Sequence, residues 1–219
     1  GFSTLRPKGD PIATTHGMAC GPVAVMKLYS PVGPTLTQGA FRLGAHMGQL
    51  SVTHPDIREF IHAKDDDASI QNFNISVAVT EEFMEAVEQG GSYDLINPRT
   101  GEKEESLKAR EVFDKMVKSA WKTGDPGVIF IDRMNDVRSN PVPKRGPIQA
   151  TNPCGEQPLY PYDSCNLGSI NLAMLVVEKD KDPDVDWERL RKIVRLCVHF
   201  LDNVVSMNTY PIAQIRETS

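Results

Sequence analysis

The stretch TNPCGEQPLYPYDSCNLGSINL, residues 151–172, decides how the rest of the chain is interpreted. It contains two of the four cysteines of the chain, Cys154 and Cys165. An amide, Asn152, lies two positions before Cys154, and a carboxylate, Glu156, lies two positions after it. On an extended or looped segment, this spacing directs the three side chains to the same side. The stretch therefore predicts a site at which a thiol, an acid and an amide act together.

The neighbours of Cys154 restrict its chemistry. A nearby carboxylate such as Glu156 opposes ionisation of a thiol, which makes Cys154 a poor thiolate nucleophile. The five histidines are scattered along the chain, which also argues against a cysteine hydrolase. Cys154 and Cys165 form no CxxC pair and have no paired histidine, so we predict no metal site. The remaining option is a protonated thiol that loses a hydrogen atom, with Glu156 as a base on a substrate hydroxyl.

The composition is that of an ordinary globular protein. The 219 residues are 40% hydrophobic and 24% charged. The net charge is −5 and no block of Lys or Arg is present, so neither nucleic acid nor an anionic membrane is an expected partner. No apolar run approaches the roughly 18–20 residues that span a bilayer, and no secretory signal is visible. Four cysteines are too few for a disulfide scaffold, so we expect the reducing cytoplasm.

Hydrophobic periodicity predicts strands that alternate with helices. The segment NFNISVAVT, residues 72–80, is rich in β-branched residues and predicts a strand. The segment GVIFID, residues 127–132, is nearly all apolar, which is typical of a strand buried on both faces. Residues 93–106 predict a hairpin with a Pro/Gly turn. Helices are predicted over Val23–Tyr29, over 54–64, from a Thr80 cap to Gly90, over 106–124 and over 186–208. The pattern favours the α/β class with largely parallel pairing.

The stretch NPCGEQPLYPYDSCNLGSINL closely resembles the active-site finger loop of ribonucleotide reductases, specifically the adenosylcobalamin-dependent class II enzymes. Essentially the whole chain shares the resemblance, and NPCGE followed by SCNLGS at this distance is highly specific. Further segments resemble successive segments of the family in the family's order: LRPKGDPIATTHGMACGPVAVMKLY, QGAFRLGAHMG, HPDIREFIHAK, NFNISVAVTEEFM, GDPGVIFIDRMN and FLDNVVSMNTYP.

The resemblance implies a fold and an activity. The fold would be α/β, part of a ten-stranded barrel of two antiparallel half-barrels, with a finger loop (151–172) entering its centre. Residues 1–219 would form a single segment, the N-terminal half of the barrel plus that loop, with the flanking parts of the full enzyme absent. The implied activity is radical reduction of ribonucleotides, expected to be diphosphates, to 2′-deoxyribonucleotides. Adenosylcobalamin would supply the radical by Co–C homolysis.

The resemblance also implies a role for each polar residue of the loop. Cys154 matches the cysteine that becomes a thiyl radical and abstracts the 3′-hydrogen of the ribose. Glu156 matches the base that takes the 3′-OH proton, and Asn152 matches the amide that hydrogen-bonds the sugar. Cys165 matches one member of the redox pair whose other cysteine lies upstream of this chain. The implied substrate-contacting set is Asn152, Pro153, Cys154, Gly155 and Glu156.

A second loop and several partners follow from the same resemblance. The segment TQGAFRLGAHMG matches the specificity loop, so Gln38, Gly39, Arg42 and Gly44 are the predicted effector residues, and a deoxynucleoside triphosphate is a compatible effector. The implied partners are a ribonucleotide and a thioredoxin- or glutaredoxin-type reductant. A homodimer is also compatible with the resemblance.

Three alternatives stay open at this point. The first is a class I catalytic subunit, which takes its radical from a separate metalloprotein. The second is an inactive fragment that serves only as an interaction or structural domain. The third is a cysteine hydrolase, which rapid reaction of Cys154 with iodoacetamide at neutral pH would support.

Overall fold

The computed structural model describes residues 1–35, 44–66, 69–179 and 182–219. The chain divides into two compact units, Gly1–Pro161 and Tyr162–Ser219. The strands of the first unit are β1 (Pro11–Ile12), β2 (Gly17–Met18), β3 (His46–Ser51), β4 (Phe73–Val79), β5 (Ser92–Ile96), β6 (Lys103–Lys108), β7 (Gly127–Phe130), β8 (Ala150–Thr151) and β9 (Pro158–Leu159). Its helices are α1 (Gly21–Tyr29), α2 (Val32–Thr35), α3 (Ile57–Ile61), α4 (Glu81–Gln89), α5 (Ala109–Thr123) and α6 (Ile131–Met134), with a 3₁₀ turn at Pro143–Arg145.

A three-stranded parallel sheet with the order β3-β4-β7 organises the first unit. Alternate residues of each strand point to opposite faces of the sheet. The face that carries Leu50, Ile75 and Val77 packs into the core, and all three side chains are at most 1% exposed. We call the face that carries these three residues the apolar face of the sheet. Helices α1, α3, α4 and α5 contribute further large core side chains, among them Met26, Phe60, Phe83 and Met116.

The helix ends follow local signals in the sequence. The Thr80 hydroxyl accepts a hydrogen bond from the Phe83 amide at 3.1 Å and caps α4. Gly90 ends α4 and Gly124 ends α5, both in the left-handed conformation, with φ of 69° and 85°. The predicted cap of α4 and the predicted ends of both helices are therefore confirmed.

Antiparallel hairpins make up the remaining pairing in the described part of the chain, where β1 pairs with β2, β5 with β6, β8 with β9, and Val176–Lys179 with Asp182–Val185. The β5–β6 hairpin confirms the prediction over residues 93–106. The expectation of largely parallel pairing holds for the central sheet alone. Local hairpins need only a short turn, whereas parallel neighbours need a crossover, which here is made by helices.

The prediction of a strand buried on both faces over 127–132 is wrong. Strand β7 is shorter, and only Ile129 within it is buried, whereas Val128 and Phe130 are each 39% exposed. Strand β7 lies at one edge of the sheet, where one side has no neighbouring strand among the described residues. Residues 131–132 begin α6 instead of continuing the strand.

The second unit contains β10 (Val176–Lys179), β11 (Asp182–Val185), α7 (Trp187–Met207), α8 (Ala213–Thr218) and a 3₁₀ turn at Leu172–Leu175. The Asp186 carboxylate caps α7 by accepting from the Arg189 amide at 2.9 Å. The long helix predicted over 186–208 is confirmed. Within this unit, the Asn166 side-chain amide donates to the Leu201 carbonyl at 2.8 Å and ties the preceding segment to α7.

Among the described residues, no helix combines the length and the apolar character that crossing a bilayer requires. The same part of the chain contains no group of three or more His, Cys, Asp or Glu side chains arranged to hold a metal ion.

Candidate active site

The residues around Cys154 form the turn of a short hairpin. Strand β8 pairs with β9, with Thr151 opposite Pro158. The backbone amide of Asn152 then donates to the Gln157 carbonyl at 3.1 Å and closes the loop. We call residues 150–159 the cysteine hairpin. Because the chain reverses direction between 152 and 157, the strict side-chain alternation of an extended strand does not apply there.

Two residues shape the turn itself. Gly155 adopts φ of 86°, a left-handed conformation that costs a residue with a Cβ about 1 kcal/mol or more. Its amide donates to the Asn152 carbonyl at 3.0 Å. The side-chain Oδ1 of Asn152 accepts from the Gln157 amide at 3.0 Å, so this residue holds the hairpin together. The two hydrogens of the Asn152 amide are the groups it can offer to a sugar oxygen.

The hairpin is anchored to the parallel sheet at its tip and to a loop at its base. At the tip, the Asn74 side-chain amide donates to the Pro153 carbonyl at 2.6 Å. At the base, the Tyr160 hydroxyl donates to Asn140 Oδ1 and accepts from the Val142 amide at 3.1 Å. Asn74 and Asn140 both lie outside the hairpin, and their hydrogen bonds fix its position near its tip and near its base.

A small cleft of about 330 Å³ opens beside the thiol. Its walls combine the tip of the hairpin, Pro153 to Gly155, with the amino-terminal ends of β4 and β7. On the sheet side, Asn74 and Ser76 supply an amide and a hydroxyl. These two residues belong to the face opposite the apolar one, which we call the polar face of the sheet. The cleft is therefore a place where a small polar group can meet Cys154.

An ion pair lies at the same end of the sheet. Lys64 Nζ contacts Asp125 Oδ2 at 2.8 Å, and both side chains are less than 20% exposed. Lys64 also donates to the Phe73 carbonyl at 2.7 Å, and Asp125 Oδ1 accepts from the Ile75 amide at 3.2 Å. These two bonds fix the backbone on either side of Asn74.

Cys154 and Glu156 are both exposed. An exposed thiol at the tip of a turn can be reached by a partner that removes its hydrogen atom, and an exposed carboxylate can reach a substrate hydroxyl. The local geometry thus provides a thiol, a base and an amide within residues 152–156, beside a polar cleft.

The other predicted residues lie elsewhere. Cys165 is exposed and belongs to the second unit. Gln38, Gly39 and Arg42 fall outside the described residues. Gly44 is described, and it packs against the backbone of Gly33 so closely that a Cβ on Gly33 would lie 2.6 Å from the Gly44 carbonyl oxygen.

The sequence interpretation missed three residues of this region: Asn74, Lys64 and Asp125. Asn74 carried a weak signal, since an asparagine inside a strand rich in β-branched residues runs against strand preference. Lys64 and Asp125 carried none, because their pairing depends on how a helix end and a strand turn meet in space.

A second cleft of about 550 Å³ also borders the hairpin. It is lined mainly by apolar residues of β7 and by Ile148, Pro158 and Tyr160. It borders the base of the hairpin, whereas Cys154 borders the smaller cleft.

Cys154, flanked in the chain by an amide and a carboxylate, borders a polar cleft on a doubly anchored turn, which makes this turn a candidate active site on an α/β scaffold. The family model described as the ribonucleotide reductase barrel domain matches residues 1–219. The chain belongs to the ribonucleotide reductase family, as the resemblance of its finger-loop sequence predicted.

Relatives extend this result over the whole chain. A vitamin B12-dependent ribonucleoside-diphosphate reductase of Thermoplasma acidophilum is 48% identical over 219 residues, which is 100% of this chain and 28% of the relative. A protein of the same description from Mycobacterium tuberculosis is 48% identical over 219 residues, 100% of this chain and 30% of the relative. A vitamin B12-dependent ribonucleotide reductase of Streptomyces avermitilis is 33% identical over 243 residues, 100% of this chain and 25% of the relative. The chain thus spans less than a third of the length of these relatives.

Proposed function

We propose that the full-length protein reduces ribonucleoside diphosphates to 2′-deoxyribonucleotides by a radical mechanism that depends on adenosylcobalamin. The observation that carries the proposal is the anchored hairpin with Asn152, Cys154 and Glu156, in a chain that is 48% identical throughout to B12-dependent ribonucleoside-diphosphate reductases. The proposed architecture is the one implied by the sequence. Residues 1–219 would be part of a ten-stranded barrel, and residues 151–172 would be its finger loop.

The residues of the hairpin take the following roles in this proposal. The thiyl radical of Cys154 removes the 3′-hydrogen atom of the ribose and returns it at the end of the cycle. Glu156 accepts the 3′-OH proton while the 2′-hydroxyl leaves as water. Asn152 donates hydrogen bonds to the sugar through its amide hydrogens. Two electrons and two protons come from a dithiol, Cys165 and an upstream cysteine, which becomes a disulfide.

The cofactor proposal agrees with the accessibility of the thiol. Adenosylcobalamin, when bound, supplies the radical that removes the hydrogen atom from Cys154. This chemistry requires a thiol that a large group can approach, and the exposed Cys154 at the tip of its turn meets that requirement. The walls of the cleft, Ser76 among them, would orient the ribose and restrict water around the radical.

Regulation and partners belong to the same proposal. Gln38, Gly39, Arg42 and Gly44 would take part in binding or relaying a deoxynucleoside triphosphate effector. A thioredoxin- or glutaredoxin-type protein would reduce the disulfide again, and a homodimer in the cytoplasm is the proposed state.

The first experiment measures deoxynucleotide formation by the full-length protein with adenosylcobalamin and without a second subunit. Product that depends on the cobalamin is the expected result. Product that appears only after addition of a metal-radical subunit would assign the protein to class I. Absence of product under both conditions would favour an inactive relative that keeps the hairpin as an interaction or structural element.

Cysteine variants of the full-length protein test the individual roles. Cys154→Ala is expected to abolish turnover and exchange at the substrate 3′-position, and residual turnover would refute its role.

Cys165→Ser is expected to block multiple turnover with thioredoxin, and wild-type turnover would refute the redox-pair assignment. Cys197→Ala is the matched control, because this half-buried thiol lies on α7 and is expected to leave turnover unchanged.

A further inference from the structure

We propose that Asn74 is a positioning residue that holds Cys154 in place, and that Lys64 and Asp125 fix Asn74 for this task. The inference deepens the proposed function and rests on it for its catalytic consequence. Asn74 does not contact the thiol in this scheme. It acts on the backbone carbonyl of Pro153, which belongs to the peptide bond that joins Pro153 to Cys154.

The position of Asn74 in its strand has no packing explanation. Strand β4 has the burial pattern of a core strand, and Asn74 is its exposed residue, whereas Ile75, Val77 and Val79 are at most 1% exposed. Asparagine is disfavoured in strands, and at an exposed position it gains little from burial. Its hydrogen bond of 2.6 Å to the Pro153 carbonyl supplies the missing reason for its presence.

The cysteine hairpin needs an external anchor near its tip. Its ladder consists of two residue pairs only, Ala150 with Leu159 and Thr151 with Pro158. A two-stranded ribbon of this kind is marginally stable by itself. The bonds of Asn152 close the loop internally but do not fix it relative to the sheet. The Asn74 amide provides that connection directly beside the reactive residue.

The backbone of Asn74 is in turn held on both sides. Lys64 binds the carbonyl of Phe73, and Asp125 binds the amide of Ile75. Lys64 and Asp125 also pair with each other at 2.8 Å in a mostly buried position. A rigid support matters because a displacement of about 1 Å at a reacting group can lower a rate by about 100-fold.

The test uses the full-length protein and compares three variants. Asn74→Ala removes the amide. Asn74→Asp keeps the size of the side chain but places a carboxylate oxygen against the Pro153 carbonyl oxygen. Asn72→Ala is the matched control, because Asn72 adjoins the same strand and its amide also donates to a backbone carbonyl, that of Ser30 at 2.9 Å, away from the hairpin.

The first readout is amide hydrogen exchange in the peptide that covers residues 152–157. The expected result is exchange faster by about three- to tenfold in Asn74→Ala, which corresponds to loss of one net hydrogen bond. Asn74→Asp is expected to exchange at least as fast, and Asn72→Ala is expected to match the wild type. Unchanged exchange in Asn74→Ala, or an equal increase in Asn72→Ala, would overturn the proposal.

The second readout separates kcat from KM for nucleotide reduction. Asn74→Ala is expected to lower kcat by about 10- to 100-fold and to leave KM within about threefold, because it displaces the thiol and not the substrate. A wild-type kcat in a variant whose hairpin exchanges faster would show that the anchor has no catalytic consequence. If the wild-type protein reduces no nucleotide with any radical source, the proposed function fails, and the exchange measurement still decides whether Asn74 anchors the hairpin.

Discussion

The two faces of the parallel sheet differ sharply although they share the same three strands. The apolar face presents Leu50, Ile75 and Val77, which pack against helices and are at most 1% exposed. The polar face presents Gln49 and Ser76, which are 3% and 7% exposed but carry hydrogen-bonding groups. In β3 and β4, neighbouring positions such as Ile75 and Ser76 thus differ in role, since one packs into the core and the next presents a polar group on the side of the candidate site.

The polar face shows features that a purely structural surface does not need. Gln49 Oε1 is buried and has no hydrogen-bond partner among the described residues, which is unfavourable by about 1–3 kcal/mol. Gly127 approaches Ser76 so closely that a Cβ on it would lie 2.9 Å from the Ser76 hydroxyl. Polar atoms and the cleft beside Cys154 thus lie on one side of the sheet, while the apolar core packs against the other side.

The largest expected effect tests the apolar face. Ile75→Ala removes a side chain that is 1% exposed, and we expect the free energy of unfolding to fall by about 2–5 kcal/mol. Urea denaturation followed by circular dichroism measures this change. The neighbouring Ser76→Ala on the polar face is the control and should cost about 1 kcal/mol or less. Equal losses in the two variants would contradict the division between the faces.

A second, smaller effect concerns the ion pair at the amino-terminal ends of the strands. Lys64→Met leaves Asp125 without its charged partner in a mostly buried position, so we expect a loss of about 1–3 kcal/mol in unfolding free energy. Thermal and urea unfolding provide the measurement. Lys103→Met is the matched control, because its pair with Asp94 is exposed and contributes about 0–1 kcal/mol. The prediction is wrong if both lysine variants have the same stability.

The third prediction compares one glycine on each face. A Cβ on Gly48 would collide with the end of Met26 and lie 3.2 Å from the Phe73 ring in the packed core, so we expect Gly48→Ala to cost about 1–3 kcal/mol. A Cβ on Gly127 would meet only the Ser76 hydroxyl within 3 Å. Gly127→Ala should therefore cost less.

A double-mutant cycle sharpens the result for Gly127. In a Ser76→Ala background the close contact is absent, so the cost of Gly127→Ala should fall by about 0.5 kcal/mol or more. Urea unfolding of the four proteins gives this coupling. Strict additivity, or a larger cost for Gly127→Ala than for Gly48→Ala, would contradict the assignment of the cost at Gly127 to the Ser76 hydroxyl.

Much of the fold could be predicted because its signals are local. Thr80 as a cap, Gly90 and Gly124 as stops, and the β-branched run of β4 each act within a few residues. The exposure of β7 could not be predicted, since an apolar sequence such as GVIF is the same in a central and an edge strand. Strand order is a property of the whole chain and not of the segment.

The candidate site likewise has features that the sequence could predict and features that it could not. The spacing of Asn152, Cys154 and Glu156 is local, so the sequence revealed it, although their roles remain predictions. The anchor from Asn74 joins residues far apart in the chain, and no sequence pattern signals such a contact. The hydrogen bond of Asn152 Oδ1 to Gln157 was likewise hidden, because it depends on the turn that residues 152–157 adopt.

The smallest expected effect concerns the exposed end of the apolar face. The Arg133 guanidinium lies 5.1 Å from the centre of the Phe130 ring and pairs with Glu81 at 2.6 Å. The hydrogen bond from Arg133 lowers the pKa of the Glu81 carboxyl below its ordinary value of 4.5. A lowered pKa in the folded state means that the stabilisation is present above the ordinary value and is lost as the pH falls through the lowered one. Arg133→Gln should therefore lower stability slightly at neutral pH and reduce the loss of stability on acidification by the same amount.

Urea midpoints measured from about pH 5 downward test this prediction, because the stabilisation is lost only as the pH falls below the ordinary pKa of Glu81, 4.5. Arg133→Lys is the control, since it keeps the charge beside Glu81 and should retain part of the pH dependence. Identical pH profiles for the wild type and Arg133→Gln would show that the pair does not contribute to stability. In that case, the stability of this end of the apolar face would come from the packing of Phe130, which is 39% exposed, and not from its neighbouring ion pair.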